Sequence, residues 1–556
     1  MEYSKLVEVY EELGETQSTL QKTDILAEFF AENEEDLDKI ILLSMGRSFP
    51  EWKDLDLGIS SKTMVDIIKQ STGRSEEEIE KVWKEKGDLG FAAEQMAKQK
   101  TQQNLMSKDL TVERVLEILE KVAKMEQKSL GSVSMDKKKK EVASLLSDAD
   151  PLEARYIART FISNLRLGVA EGLIRDALSE AFFDGENKKD IQHAYNLTND
   201  FREVGKACTE GIEDVRALEI EMFRPIKSML AKKVDSIEEG FEEVGRPAAV
   251  DYKYDGVRAQ IHVKDGEVKL FTRRLEEITD QFPDAVEAVK ENIEAETAII
   301  DSEILAYDPE TKETIPFQQL SKRIKRKYDI EKLKQEIPVE IRPFDIMYLN
   351  GSSELKTGYK DRYSKLENIV DESEWSIRMV DHIETEDAEE VRDMDQKSLN
   401  QGHEGIMMKS LDAEYKPGNR VGYMVKLKPV METLDLAVIG AKWGEGRRSG
   451  WLSRIKLGCY NQETDEYEMI GRMATGLTDE ELEEITGKLK PLITSENGRD
   501  VNVKPEIILE AEYEEIQKSP NYISGYALRF PRMKAFRDDK EEADTLKRVR
   551  ELFESQ

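Results

Sequence analysis

Through its first 220 residues the chain repeats its apolar side chains at helical spacing, and near Phe223 to Pro225 that period gives way to short β-like runs separated by turns. In "LTVERVLEILEKVAKM", Val112, Val115, Leu116, Leu119 and Val122 fall on one helical face behind Thr111, a residue suited to an N-cap. Beyond the break, "AQIHVKDGEVKLFTRR" predicts a hairpin with Asp265-Gly266 at its tip, and "AIIDSEILAYD" and "VEIRPFDIMYLNG" predict buried strands. A second change comes near Pro429: "LDLAVIGAKWG", "SRIKLGCYN" and "EYEMIGRMA" predict strands of a small barrel, with "LTDEELEEITGKL" as an inserted helix. A chain of 556 residues exceeds what one hydrophobic core serves. The expected architecture is multidomain: all-α over 1–220, α+β over 221–430 and a β-barrel over 431–556, without internal repeats or a low-complexity linker.

A formal charge of -33 argues against a polyanionic partner unless the basic residues are gathered locally. They are gathered, in "MDKKKKE" around 137–140, "SKRIKRK" at 321–327 and "GEGRRSGWLSRIK" at 444–456, although a solvated helix face explains any one such cluster as well. The acidic remainder fits a salty cytoplasm. Only two cysteines occur, Cys208 and Cys459, so neither a CxxC zinc pair nor a disulfide framework is expected and any metal must be held by carboxylates. The N-terminal "MEYSKLVEVYEELGE" lacks the basic flank and apolar core of a signal peptide, and no apolar run reaches the roughly 20 residues of a membrane span. An intracellular, soluble protein is expected.

At the start of the α+β segment stands "VDYKYDGVRAQIH", residues 250–262, where Lys253, Asp255, Gly256 and Arg258 interrupt a strand-like run. Taken alone, this K-x-D-G-x-R pattern is either a chemical site or a surface lysine paired to Asp255 across a turn. The rest of the chain weighs for chemistry. "FTRR" follows at 271–274, "DSEILAYD" at 301–308, "FDIMYLNG" at 344–351, "EGIMMK" at 404–409, "KLK" at 426–428, "LRFPR" at 528–532 and "RDDK" at 537–540. In this order and spacing the chain resembles, over nearly its full length, the archaeal, eukaryotic-type ATP-dependent DNA ligases of the covalent nucleotidyltransferase superfamily.

The resemblance implies an all-α DNA-binding domain, an adenylation (nucleotidyltransferase) domain and an OB-fold domain over the three segments. It implies sealing of 5′-phosphate/3′-hydroxyl nicks in duplex DNA through a lysyl-AMP intermediate and a DNA-adenylate, in replication, repair and recombination. Lys253 would be the nucleophile. An amine attacks phosphorus only unprotonated, and lysine ordinarily titrates near 10.4, so cations must lower that value. Arg258, Lys426, Lys428 and a bound Mg²⁺ or other divalent cation would do so while neutralising charge on ATP. Glu303 and Glu404 would hold the metal, since Mg²⁺ takes oxygen ligands and keeps waters and substrate phosphates. Phe344 would stack on adenine, Arg273 would bind ribose or the nick phosphate, Arg420 another phosphate oxygen, and Arg537 and Lys540 the pyrophosphate leaving group. Two residues before the nucleophile the family commonly has glutamate to accept from the adenine amino group. Here that residue is Asp251, one methylene shorter.

The helical segment carries its likeness mainly in "EARYIARTFISNLRLGVAEGLIRDAL", residues 153–178, which implies that Arg155, Arg159, Arg166 and the backbone at Gly168 lie against sugar-phosphate and minor groove. Tyr156, Ile157, Phe161, Leu165 and Leu167 read equally as core. "GSVSMDKKKK" at 131–140 would be a second phosphate-contact hairpin, and "DILAEFF" at 24–30 a core helix. "QKTQQNLM" at 99–106 stands where some archaeal relatives carry a sliding-clamp peptide, but without the aromatic pair that fills a clamp pocket. The expected partner is nicked duplex DNA, the expected state a monomer, and the expected location the cytoplasm, at the nucleoid, with no membrane. The alternatives are an mRNA-capping guanylyltransferase or RNA ligase, which shares K-x-D-G but neither the helical extension nor "LRFPR"; an NAD-dependent ligase, whose tetracysteine zinc module is missing; and a non-catalytic DNA-clamping scaffold, which would not need Lys253, Glu303, Glu404 and Lys426.

Overall fold

The computed structural model describes residues 1–53, 55–99, 110–127, 132–324, 329–427, 432–444, 448, 450–474, 476–540 and 542–554. The chain forms two compact units, Met1–Lys428 and Pro429–Gln556.

The first unit begins with a run of α-helices from Tyr3–Glu15 to Ile212–Arg216 around one apolar core. The helix Val112–Gln127 shows why: Val112, Val115, Leu119 and Val122 are all buried, and Thr111 Oγ1 accepts the Arg114 backbone N–H at 3.2 Å. Each such side chain contributes roughly 1.5–3 kcal/mol on burial. Phe29 and Phe30 are buried in the helix Thr19–Glu32, as expected of a core element. The expected hairpin at 131–140 is not formed, because Ser132–Asp148 is a single helix. Lysine is a good helix former, and two of the four lysines are taken up in packing: Lys138 is buried against Glu126, and Lys139 reaches Asp66 at 2.6 Å, while Lys137 and Lys140 are exposed.

Two sheets follow. One has five strands in the order Leu230–Val234, Arg420–Leu427, Ile406–Ser410, Ala248–Tyr252 and His382–Thr385. The other is built on Glu267–Thr272, Val257–Lys264, Thr297–Tyr307 and Val339–Leu349, all antiparallel neighbours. Its first hairpin turns at Asp265-Gly266, with Lys264 opposite Glu267, as the sequence predicts. The segment that leads in from the helices is stitched to this sheet. The Phe223 N–H donates to His262 Nδ1 at 3.1 Å, and Gln260 accepts from Ile226 N–H at 2.7 Å and donates to its carbonyl at 3.0 Å.

The second unit is strand-rich. Its long central strand Leu434–Trp443 pairs with Leu452–Asn461 on one side and divides its other side, residues 434–437 pairing with Ile508–Glu512 and 440–442 with Asp500–Val503. The expected inserted helix is Asp479–Leu489, opened by a capping box between Thr478 and Glu481.

Candidate active site

Lys253 lies where the chain leaves one sheet and enters the other, between Ala248–Tyr252 and Val257–Lys264. Its backbone is clamped on both sides: its N–H donates to the Gly405 carbonyl at 2.8 Å, and its carbonyl accepts from the Glu404 N–H at 2.8 Å. Its ammonium is bound to the Glu404 carboxylate, with the two side chains 20% and 16% exposed. Gly405 has φ +109°, and a Cβ there would lie 2.8 Å from the Leu427 carbonyl, so the turn that presents Glu404 requires glycine. The glycine of K-x-D-G has a different cause. A Cβ on Gly256 would lie 2.5 Å from the Ile304 carbonyl and 2.8 Å from Glu303 Cγ, so its absence lets the nucleophile loop approach the carboxylate strand. Asp255 anchors the same loop by accepting the Phe317 N–H at 3.2 Å, at the start of the helix Phe317–Ile324.

Arg258 pairs with Glu303 across the antiparallel ladder, so both side chains project from one face, as does Asp301 two residues earlier. Asp301 is fully buried and takes Arg258 in a fork, at 2.9 Å to Nε and 2.5 Å to Nη2, with a third bond from Tyr415 Oη at 2.8 Å. The Glu303 carboxyl is pushed up to about 8. Burial is the main cause, the charges of Lys253 and Arg258 oppose it, and those of Glu404 and Asp301 reinforce it. These crowded carboxylates fit Mg²⁺: they are hard oxygen donors beside the nucleophile, and a divalent cation would relieve their repulsion. Among the described residues no three His, Cys, Asp or Glu side chains gather into a metal cage; Mg²⁺ usually keeps waters and substrate phosphates among its ligands.

Phe344 lies on Val339–Leu349, with the Arg258 guanidinium 5.5 Å and the Lys409 ammonium 5.0 Å from its ring centre. Beside it Asp251, 2% exposed, receives Lys409 Nζ at 2.5 Å and Tyr359 Oη at 3.1 Å on one oxygen and faces His382 Nδ1 at 2.7 Å on the other. Burial raises its carboxyl, and Lys409 and His382 lower it more. Lys409, Tyr359, His382, Asp301 and Tyr415 contact the candidate residues Asp251 and Arg258, and sequence reasoning does not single them out. Lys409 closes "EGIMMK" and Asp301 opens "DSEILAYD", and that motif position is their signal in the sequence. Arg273 and Arg420 are exposed and within electrostatic range of each other: partial desolvation and the charges of Arg258, Arg420 and Arg274 lower the Arg273 pKa, and Glu303 opposes them. Arg420 Nη1 donates to the Ala231 carbonyl at 2.8 Å. Lys426 stands opposite Met407 in the strand next to Ile406–Ser410. Lys428 lies outside the described residues.

In the helical part the four expected DNA residues separate into two kinds. Arg155 is tied to Glu94 at 2.7 Å and Glu11 at 2.7 Å, and Arg159, 7% exposed, is forked onto Asp88 at 3.2 and 2.8 Å. Both are engaged inside the helix pack. Arg166 and Gly168 belong to an exposed loop with left-handed φ of +63° and +68°, where Arg166 Nη1 donates to the Gly87 carbonyl at 2.9 Å and lies 3.7 Å from Asp88. With Gly46 and Ser163 they line a surface cleft, and Lys22 Nζ supports the loop from below at 2.5 Å from the Leu167 carbonyl. Residues 100–109, which include most of "QKTQQNLM", lie outside the described residues. No described helix is long and apolar enough to cross a membrane.

In the second unit Arg537 and Lys540 both bind one carboxylate, that of Asp435. Arg537 Nη1 donates to its two oxygens at 2.9 Å each.

The sequence matches "DNA ligase N terminus" over residues 2–179, "ATP dependent DNA ligase domain" over 228–428 and "ATP dependent DNA ligase C terminal region" over 448–540. It is 41% identical to a DNA ligase of Nanoarchaeum equitans, with 100% of this chain and 99% of that one covered. It is 42% identical to a DNA ligase of Methanopyrus kandleri, covering 100% and 99%. A solved structure described as "Pmar-Lig_PreS3" shares the fold at TM-score 0.58 and 18% identity, over 96% of this chain and 99% of that one. Three consecutive domain matches and full-length relatives at this identity agree with the ordered motifs, and the chain belongs to the ATP-dependent DNA ligase family.

Proposed function

We propose that this protein seals nicks in duplex DNA with ATP, through an AMP carried on Lys253. The observation that carries the reading is the lysine held at the junction of two sheets, against Glu404 and beside Glu303 and Arg258. In the first step the Lys253 amine forms a bond to the α-phosphorus of ATP and pyrophosphate leaves. In the second the 5′-phosphate of the nick attacks that phosphorus and Lys253 is released. In the third the 3′-hydroxyl attacks the 5′-phosphate and AMP departs. Glu404 accepts from the ammonium of the resting lysine and is the nearest base for its proton. Arg258, fixed by Asp301, offers a charge that need not reorganise as phosphate charge develops. Glu303 and Glu404 would hold a Mg²⁺ ion, which would supply charge neutralisation at the phosphates. Phe344 offers an aromatic face for adenine. Arg273, Arg420, Lys426 and Lys428 take phosphate or ribose, and Arg537 and Lys540 the pyrophosphate.

On this reading residues 1–220 grip DNA, 221–430 perform adenylation and 431–556 supply Arg537 and Lys540 for the ATP step. Arg166 and the Gly168 backbone carry the sequence-neutral DNA contact, which suits an enzyme that must act at any sequence. The protein works as a monomer in the cytoplasm at the nucleoid, and the clamp segment at 99–106 awaits a binding test. The test of function is a duplex with a labelled 5′-phosphate nick incubated separately with ATP, GTP and NAD plus Mg²⁺. Sealing with ATP is expected. Covalent labelling by GTP without sealing would favour the capping-type alternative.

A further inference from the structure

The "RDDK" motif places two cations beside two carboxylates, so it carries no net charge of its own. Left to itself each cation would pair with its acidic neighbours. The fold sorts them with a residue outside the motif. Asp435, second in the strand Leu434–Trp443, is buried, and its backbone is fixed twice: its N–H donates to Asp544 Oδ2 at 2.8 Å, and its carbonyl accepts the Asp544 N–H at 2.7 Å. Its carboxylate binds Arg537 at 2.9 Å and also binds Lys540. The Nε and Nη2 edge of Arg537 meets Asp539 at 2.9 and 2.8 Å, and Asp539 is 65% exposed. One edge of the guanidinium is therefore held by a buried anion whose backbone is tied to Asp544, and the other by an exposed one that an incoming polyphosphate can displace.

We propose that Asp435 is a positioning residue for the ATP step: it fixes Arg537 and Lys540 as a pair whose outer faces accept the pyrophosphate of ATP, with Asp539 yielding its place. This rests on the reading that Arg537 and Lys540 handle pyrophosphate. Once AMP is on Lys253 there is no pyrophosphate left to orient, so Asp435 should matter for adenylation and its reverse and for nothing later. Truncating one partner of a buried ion pair leaves the others misplaced, and small displacements of such groups weigh heavily on rate.

The test uses the full chain with Asp435→Asn, Asp435→Glu and Arg537→Ala. Three rates are read: lysyl-AMP formation from ATP, discharge of lysyl-AMP by inorganic pyrophosphate, and sealing of a nick that already carries 5′-AMP. Asp435→Asn should lower the first two by similar factors of at least about tenfold, and leave the third within about twofold of wild type. Asp435→Glu keeps the charge but moves it by one methylene, and should lose less in the same two rates. It also serves as the test if the asparagine variant does not fold. Equal loss in all three rates, or no loss in the first two, would overturn the proposal. If Arg537→Ala is impaired in adenylation while both Asp435 variants are normal, the motif reading stands and the role of Asp435 falls. If Arg537→Ala adenylates normally, the motif reading itself fails and the proposal with it.

Discussion

Glu303 lies within reach of the charges of Lys253, Arg258, Glu404 and Asp301, and burial outweighs the two cations, so its carboxyl is pushed from 4.5 up to about 8. Two consequences follow from the sign. Without metal, the folded protein binds a proton here that the unfolded chain has released, so stability falls as pH rises from about 4.5 toward 8. With metal, that proton must be expelled, so Mg²⁺ affinity should climb with pH and level off above about 8. Calorimetry in buffers of different ionisation enthalpy should count nearly one proton released on Mg²⁺ binding near pH 7 and almost none near pH 9, and Glu303→Gln should abolish the difference. A proton count of zero for the wild type at pH 7 would remove Glu303 from the metal site. At this scale Lys253, Glu303, Glu404 and Phe344 were legible as candidates, because motif position marks them. Asp301 and Lys409 stand in motifs without their partners being visible there, and His382 and Asp435 were not legible at all, because what these residues do depends on a partner that only the fold supplies. His382 faces Asp251 from 131 positions away, and Arg537 reaches Asp435 across 102.

The loop 253–256 works only because Gly256 lets it lie on the carboxylate strand. Gly256→Ala would press a methyl group against the Ile304 carbonyl, which is backbone and cannot swing aside. A destabilisation of about 1–3 kcal/mol is expected, and with it a loss of AMP labelling larger than the stability change alone explains, since Lys253 would be displaced from Glu303. Thermal unfolding and labelling rates on the same preparation check this, and normal labelling with a lowered Tm would show that the close approach serves the fold and not the chemistry. Elements governed by local rules were legible in advance. The Asp265-Gly266 hairpin and the Thr111-capped helix formed as the sequence predicts. The hairpin expected at 131–140 came from the family resemblance and not from a local turn signal, and the helix Ser132–Asp148 found there pairs Lys138 with Glu126 and Lys139 with Asp66 on neighbouring helices. The two-sheet junction at Lys253 was equally invisible, since strand order is set by long-range pairing and not by pattern.

Across the whole molecule the motifs divide the labour. A fragment beginning at Glu219 keeps the stitches of Phe223 to His262 and Ile226 to Gln260, but loses the Lys227–Glu171 ion pair and the bond from Asn196 to the Pro417 carbonyl. It should be less stable than the full chain yet still form lysyl-AMP, and it should seal nicks poorly, with a defect that grows with salt because the lost contacts are to phosphate. A fragment ending near residue 429 should fail to adenylate from ATP while retaining some sealing of a pre-adenylated nick. Gel assays with labelled ATP and with a pre-adenylated duplex, across a salt series, separate the two. Undiminished sealing by the first, or normal adenylation by the second, would contradict this division. All of it depends on one covalent bond. The full chain should therefore be incubated with ATP and Mg²⁺, digested and mapped by mass spectrometry, alongside Lys253→Ala. The wild type should carry a single AMP on the peptide containing Lys253, and the variant none while still binding nicked DNA. An AMP adduct on the variant, or on a different residue of the wild type, would contradict the assignment of Lys253 as the nucleophile.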